Sequence, residues 1–241
     1  KAVSDADLWK DPNDFIYYQM KNALLRPSPL KPYWYDCPIF SNWENAVAVD
    51  PADTAYQNFL LHQARLHIDK INPDGICIDR MDWITFYNSN GDDGISLHDG
   101  KKVRSLVFSW NNTMEKLGPL MHQANKVIFS NPICRRIDLM KHIDGIYDEF
   151  GNVSSSLNLC AQMAFAKPII AWTKSIGDFM PTADSYLQRH LYLGAFLTVP
   201  FPGNDHAITP DTTIKKYYLD YGPMLNEIRG RQWLFFPNII S

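Results

Sequence analysis

The stretch Asp74-Gly75-Ile76-Cys77-Ile78-Asp79 is a short apolar run, entered through Pro73 and closed by an acid. Such a continuous run is typical of a strand that is buried on both faces of a parallel sheet. Four runs of the same kind follow along the chain, at residues 126–131, 143–149, 168–173 and 195–200. Because helical segments separate the five runs, the sequence predicts an α/β fold.

The segments before and between these runs carry apolar residues at helical spacing. The clearest lies at about 103–124, where the apolar side chains follow a 3.6-residue period. A second helix is predicted at about 54–70, with Asp53 or Thr54 as its N-cap. Shorter helices fit about 133–141, 155–166 and 183–193. Strand and helix therefore alternate, as in a chain of βα units.

The spacing of the strands favours a (β/α)8 TIM barrel. From Gly75 to Ala195 the four strand-to-strand steps average 30 residues, and a barrel uses about 31 residues for each unit. A doubly wound sheet gives similar spacing, but every predicted strand here ends in polar or aromatic groups. Barrel enzymes build their sites at that end of the strands.

The number of strands predicts an incomplete barrel. Five strands, or six with a candidate near 33–37, would represent about strands 3 to 8 of eight. Residues 1–230 are therefore interpreted as a partial TIM-barrel catalytic domain. Residues 231–241 resemble the opening segment of a C-terminal β-sandwich domain, so we expect an excerpt of a larger protein. The alternative is a smaller, complete α/β domain.

Composition and charge exclude several classes of protein. The 241 residues are 46% hydrophobic and 20% charged, which excludes a disordered, collagen-like or coiled-coil chain. A net charge of −3 argues against a nucleic-acid partner, and no apolar stretch is long enough for a membrane span. The four cysteines form no CxxC pair, and Cys77 is predicted to be a buried thiol. Sequons at Asn111 and Asn152 favour a secreted or periplasmic location.

Two of the strand runs share an Asp-Gly phrase, and aligning them there pairs Asp79 with Glu149. Because side chains alternate along a strand, Asp79 shares a face with Gly75, and Glu149 shares a face with Gly145. If the glycines face the barrel interior, both acids point to its mouth. Asp148 then points the other way, unless the strand has already ended.

Two carboxylates in this arrangement predict glycoside hydrolysis. Inward residues of alternate barrel strands lie in one layer, and retaining glycosidases need a nucleophile and a proton donor about 5–5.5 Å apart. Asp79 is predicted as the nucleophile and Glu149 as the acid/base, with Asp148 in reserve. An inverting glycosidase and a non-catalytic carbohydrate-binding barrel remain alternatives. In a purely structural reading, Asp79 pairs with Arg80 or Arg135.

The same segments carry a resemblance to a known group of enzymes. Residues 47–51, the helix after them, residues 73–80 and residues 144–149 resemble the catalytic barrel of the α-galactosidase/α-glucosidase superfamily of retaining glycoside hydrolases. The resemblance implies an Asp nucleophile on the fourth strand, here Asp79, and an acid/base on the sixth. It also implies α-linked substrates. The sequence departs from the family at Cys77, where a lysine is frequent.

Further polar and aromatic residues near the strand ends are predicted to bind an oligosaccharide or glycoside substrate. They are Arg80, Asp82, Trp83, Asn131, Trp172, Lys174 and His206. The acids of the loop at 88–100 match no EF-hand spacing and are interpreted as solvated. The predicted reaction requires no cofactor and no metal ion.

Overall fold

The structure, a computed structural model, describes residues 26–27, 49–79, 81, 86–131, 136–148, 164, 166–171, 183–197 and 212–229. Three predicted elements lie wholly or largely outside these residues. They are the strand near 33–37, the helix at 155–166 and the β segment at 231–241.

The described residues form ten strands and four α-helices. The strands are β1 Arg26–Pro27, β2 Gly75–Asp79, β3 Phe86–Asn88, β4 Leu97–His98, β5 Lys101–Lys102, β6 Arg104–Ser105, β7 Val127–Asn131, β8 Gly145–Asp148, β9 Ile169–Ala171 and β10 Ala195–Leu197. The α-helices are α1 Thr54–Leu66, α2 Leu106–Gln123, α3 Ala183–Leu193 and α4 Thr212–Glu227, with a π-helical turn at His67–Ile71 and a 3-10 helix at Ile137–His142. The prediction of five strands is confirmed, as are the helices at 54–70, 103–124 and 183–193. None of the described helices combines the length and apolar character that crossing a bilayer requires.

The chain forms two compact units, residues 1–75 with 83–126 and residues 76–82 with 127–241. The described part of the first unit contains α1, α2, the antiparallel sheet β1-β3-β6 and the hairpin β4-β5. The loop expected at 88–100 therefore includes ordered strands. Asp99 and Gly100 turn the hairpin with φ values of 50° and 73°, because an Asp-Gly pair tolerates the left-handed backbone of a tight hairpin turn.

Asp50 is a buried carboxylate of the first unit, and its hydrogen bonds connect its own turn with β3 and β6. Its side chain is 0% exposed. Oδ1 accepts a hydrogen bond from the Ala52 N–H at 2.9 Å, and Oδ2 accepts from Asn88 Nδ2 at 2.9 Å and Arg104 Nη1 at 3.1 Å. Val49 forms a single bridge, and the chain turns directly after Asp50.

The second unit is built on a five-stranded parallel sheet with the order β10-β9-β8-β7-β2. Each strand therefore lies beside the next sheet strand along the chain. A doubly wound sheet reverses this order at a switch point, whereas a barrel does not. The order is consistent with part of a TIM-like barrel.

The Asp-Gly phrase that opens β8 has a structural explanation. Asp144 binds the start of β7 twice, since its backbone N–H donates to the Ile128 carbonyl and its Oδ2 accepts from the Ile128 N–H, each at 2.8 Å. Gly145 pairs with Phe129 in the parallel register. A Cβ at Gly145 would lie 2.3 Å from Phe129 Cε1. Position 145 therefore favours glycine, because a side chain there would clash with the ring of Phe129.

We expect Gly145→Ala to destabilise the protein by about 1–3 kcal/mol, because the added methyl must displace the Phe129 ring. Urea denaturation measures the effect. Gly222→Ala is the matched control, since no atom lies within 4 Å of the Cβ position in α4, and it should stabilise by about 0.5–1 kcal/mol. Phe129→Ala combined with Gly145→Ala should cost less than the sum of the two single changes. Additive costs would refute the proposed clash.

His190 is a buried imidazole on α3, with 0% of its surface exposed. Its Nδ1 lies 2.9 Å from the Tyr186 carbonyl oxygen. A carbonyl only accepts, so Nδ1 carries the proton and Nε2 is the bare nitrogen. Nε2 is buried without a hydrogen-bond partner. Burial lowers the pKa of His190 to about 4, against a smaller opposing effect of the Tyr186 carbonyl.

This histidine should make stability pH-dependent. The folded state keeps the imidazole neutral down to about pH 4, whereas the unfolded chain takes up a proton near its ordinary pKa of about 6.5. Stability is therefore complete above pH 6.5 and is lost as the pH falls toward 4. Between pH 7 and pH 5 the loss from His190 is about 2 kcal/mol.

His190→Asn keeps a donor for the Tyr186 carbonyl but cannot take up the proton. The difference in unfolding free energy between pH 7 and pH 5 should therefore shrink by about 2 kcal/mol. His62→Asn, at an exposed position of α1, is the matched control and should leave that difference unchanged. Equal pH dependence in parent and His190→Asn would contradict the assignment.

Candidate functional site

Polar side chains end three adjacent strands of the parallel sheet. Asp79 is the last residue of β2, Asn131 of β7 and Asp148 of β8. The last described residues of the next two strands are Ala171 and Leu197. The carboxyl ends of parallel strands meet at one edge, which is where α/β proteins place their sites. The described polar groups of this edge therefore cluster on β2, β7 and β8.

Asp79 and Asn131 are joined directly. Asn131 Nδ2 donates a hydrogen bond to Asp79 Oδ1 at 2.9 Å. An ionised carboxylate only accepts, so the amide nitrogen must face it. Asn131 is 6% exposed, whereas Asp79 is exposed. A buried amide thus holds an exposed carboxylate at the end of the neighbouring strand.

The two faces of the sheet differ in which strand-end residues they carry. Asp79 and Asn131 share a face, since they are bonded to one another. Phe129 and Gly145 are paired on the same face, because paired residues of parallel strands point the same way. Alternation then assigns Tyr147 to this face as well. This open face, defined by Cys77, Asp79, Phe129, Asn131 and Tyr147, holds both exposed and half-buried side chains.

The opposite face carries Asp148 and is closely packed. Asp148 is 4% exposed, and Ser130, Ile146 and Ala171 on the same face are each 1% exposed or less. The sequence predicted this orientation for Asp148. Burial on both faces was also predicted, and for β2 that prediction is wrong, because alternate residues of the strand are exposed.

The prediction that Cys77 is a buried thiol is also wrong. Cys77 is exposed on the open face, two residues before Asp79. Its sulfur is nevertheless crowded enough that desolvation raises the thiol pKa, and the negative charge of Asp79 raises the pKa further. The apolar character of residues 75–78 gave no indication of this exposure. At neutral pH the thiol is therefore protonated and weakly nucleophilic.

Met81, two residues beyond the end of β2, is buried and is held by contacts with Ser130 and Arg136. Met81 is 0% exposed, and its sulfur accepts a bond from Ser130 Oγ at 3.0 Å. Its carbonyl accepts from Arg136 Nη1 at 3.3 Å. Arg136 is itself 2% exposed and makes a two-point ion pair with Asp138, at 3.0 and 2.8 Å. Sequence reasoning missed Arg136, whose partner Met81 lies far away in the chain.

Most of the predicted site residues lie outside the described part of the chain. They are Arg80, Asp82, Trp83, Glu149, Trp172, Lys174 and His206. The structural alternative for Asp79, a pair with Arg80 or Arg135, lies outside it too. Of the ten predicted residues the structure therefore describes Asp79, Asn131 and Asp148, and it brings the first two into contact.

The acids of the loop at 88–100 act as turn-forming groups. Asp93 accepts three backbone hydrogen bonds, from Ile95, Ser96 and Ser105, at 2.6–3.0 Å. Burial alone would raise the pKa of Asp93, but these hydrogen bonds together lower it. Within the described ranges, no group of three or more His, Cys, Asp or Glu side chains is placed to hold a metal ion.

Comparisons with known proteins do not show a family for this chain, so its class of protein has to be inferred from the fold and the site. No protein-family model matches the chain, and no curated protein matches it closely enough to count as a relative. Among solved structures the chain is similar to Ega3 from Aspergillus fumigatus, determined in complex with galactosamine. Identity is 14%, the similarity covers 85% of this chain and 69% of Ega3, and the TM-score is 0.43.

Proposed function

We propose that the chain is a glycoside hydrolase that cleaves α-linked glycosidic bonds with retention of configuration. The observation that carries the proposal is the exposed carboxylate of Asp79 at the carboxyl edge of the parallel sheet, held by Asn131. The strand order is consistent with a partial TIM barrel, and the open face is proposed as its interior. In such barrels this edge is the site of catalysis.

The second carboxylate of the proposal is Glu149. Strand alternation in the sequence pairs Glu149 with Asp79 on one face, and Tyr147, which belongs to the same alternating set, lies on the open face. Asp148, the reserve acid, lies on the packed face at 4% exposure, and this favours Glu149 for a role that requires contact with substrate. Retention requires the two carboxyl groups to lie about 5–5.5 Å apart.

The reaction proceeds in two displacements. Asp79 attacks the anomeric carbon and forms an ester bond to it, while the glycosidic C–O bond breaks and Glu149 gives its proton to the leaving oxygen. Glu149 then takes a proton from water, whose oxygen displaces Asp79 from the sugar. Neither displacement needs a cofactor. The residues Arg80, Asp82, Trp83, Trp172, Lys174 and His206 are proposed to bind the sugar.

Hydrolysis of aryl α- and β-glycosides of several sugars tests this function. The proposal expects release of the phenol from an α-glycoside, and proton NMR of the first-formed sugar should show the α anomer. A β product from an α substrate would establish an inverting enzyme instead. If no glycoside is cleaved while glycans still bind, the chain is a carbohydrate-binding barrel and the proposed function is wrong.

A further inference from the structure

We infer that Asn131 is a positioning residue for the nucleophile, and that its amide acts on Asp79 instead of binding the sugar. The inference rests on the proposed function of Asp79. The sequence placed Asn131 among residues that contact substrate, as one polar side chain of a common mouth. Its contact in the structure is with the carboxylate itself, at 2.9 Å.

The geometry explains how one amide can orient the carboxylate. Asn131 and Asp79 each end a strand, and β7 and β2 are neighbours in the sheet. The sheet backbone therefore fixes both Cα positions. The Asn131 side chain is 6% exposed and Asp79 is exposed, so a buried donor holds an exposed acceptor. Oδ1 is the oxygen that the Asn131 amide holds.

The hydrogen bond also separates the roles of the two proposed carboxylates. A donor that faces a carboxylate favours its ionised form, and the nucleophile must be ionised before it attacks. The acid/base must instead carry a proton at the start of the cycle. An amide donor bound to Asp79 therefore fits a nucleophile and would hinder a proton donor.

Burial argues against the alternative role of Asn131 as a sugar ligand. A residue that binds a sugar hydroxyl must present its amide to the solvent-accessible surface of the open face. At 6% exposure Asn131 offers little surface to a ligand. One of its two amide hydrogens is already directed at Asp79. The side chain is therefore suited to act through Asp79.

Steady-state kinetics of Asn131→Leu distinguishes the two roles. A positioning residue acts in the transition state, so kcat and kcat/KM should fall together, by about 10- to 100-fold, with KM within about twofold of the parent. The acid limb of the pH profile should move to higher pH, because the donor that favours the ionised carboxylate is gone. A sugar ligand would raise KM and leave kcat unchanged, which would overturn the inference.

Two further variants test whether Asn131→Leu loses activity only because the fold is disturbed. Asn131→Asp keeps the shape of the side chain but presents oxygens only, and it should lose activity at least as strongly as Asn131→Leu. Asn226→Leu, at an exposed position of α4, makes the same amide-to-leucine change elsewhere and should retain the parental constants. Parental activity in Asn131→Asp would overturn the inference.

A second readout is independent of activity. Carboxyl-carbon NMR follows the titration of Asp79, whose signal is identified by its loss in Asp79→Asn. The titration midpoint should move to higher pH in Asn131→Leu and stay in place in Asn226→Leu. If the parent cleaves no glycoside, the proposed function fails, and this titration still decides whether Asn131 controls Asp79. An unmoved midpoint in Asn131→Leu would overturn the inference.

Discussion

Asp79→Asn is expected to lower kcat/KM for aryl α-glycosides by about 10⁴-fold or more, because a neutral amide cannot form the covalent intermediate. The change should leave the fold intact. The new side chain keeps an oxygen that can accept the hydrogen bond from Asn131 Nδ2. The loss should therefore appear in kcat, with urea denaturation showing parental stability within about 1 kcal/mol.

Glu149→Gln should behave differently on the same substrates. Aryl glycosides have good leaving groups, so the loss of the proton donor should slow the first displacement less than the loss of the nucleophile. The second displacement lacks its base, and azide, which needs no base, should restore turnover and give a glycosyl azide. If Asp148→Asn is rescued by azide and Glu149→Gln is not, Asp148 is the acid/base.

A matched acid just before the same strand provides the control. Asp74 is exposed and precedes β2 at the end opposite to Asp79. Asp74→Asn makes the same change of charge and should keep activity within about twofold of the parent. If Asp79→Asn retains more than about a tenth of parental activity, Asp79 is not the nucleophile and the mechanism is wrong.

The pattern of apolar residues predicted the helices and strands well, because these elements depend mainly on residues that are close together in the sequence. The helix at 183–193 was predicted with the bounds that α3 has, and Gly194 follows it at a φ of 61°, a left-handed residue typical of a helix end. The five sheet strands were found from continuous apolar runs. Four of the five strands begin one or two residues after the predicted run begins, since an apolar run does not show where strand pairing starts.

The contacts across the chain could not be predicted in the same way. Asp79 and Asn131 were both assigned to one mouth, but the bond between them depends on the register of β2 and β7. The bonds from Arg136 to Met81 and from Arg104 to Asp50 each join residues more than 50 positions apart. Cys77 was misjudged because an apolar neighbourhood in sequence does not determine which face of a sheet is covered.

Asp50→Ala is expected to have the largest effect on stability, with a loss of about 3–5 kcal/mol in urea denaturation. The carboxylate is 0% exposed and is the acceptor for both Asn88 Nδ2 and Arg104 Nη1. Its removal leaves the amide of Asn88, which is 1% exposed, and the guanidinium of Arg104, whose side chain is 26% exposed, without their charged partner. Unsatisfied buried polar groups of this kind incur the full cost of desolvation.

Two comparisons isolate this effect from a general loss of negative charge. Asp53→Ala, three residues on, removes only an N-cap whose carboxylate accepts from Ala55 and Tyr56, and should cost about 1 kcal/mol. Asp50→Ala with Arg104→Ala should cost less than the sum of the single changes, since the uncompensated charge is gone. Equal losses at Asp50 and Asp53, or strict additivity with Arg104, would show that the buried carboxylate does not join these segments.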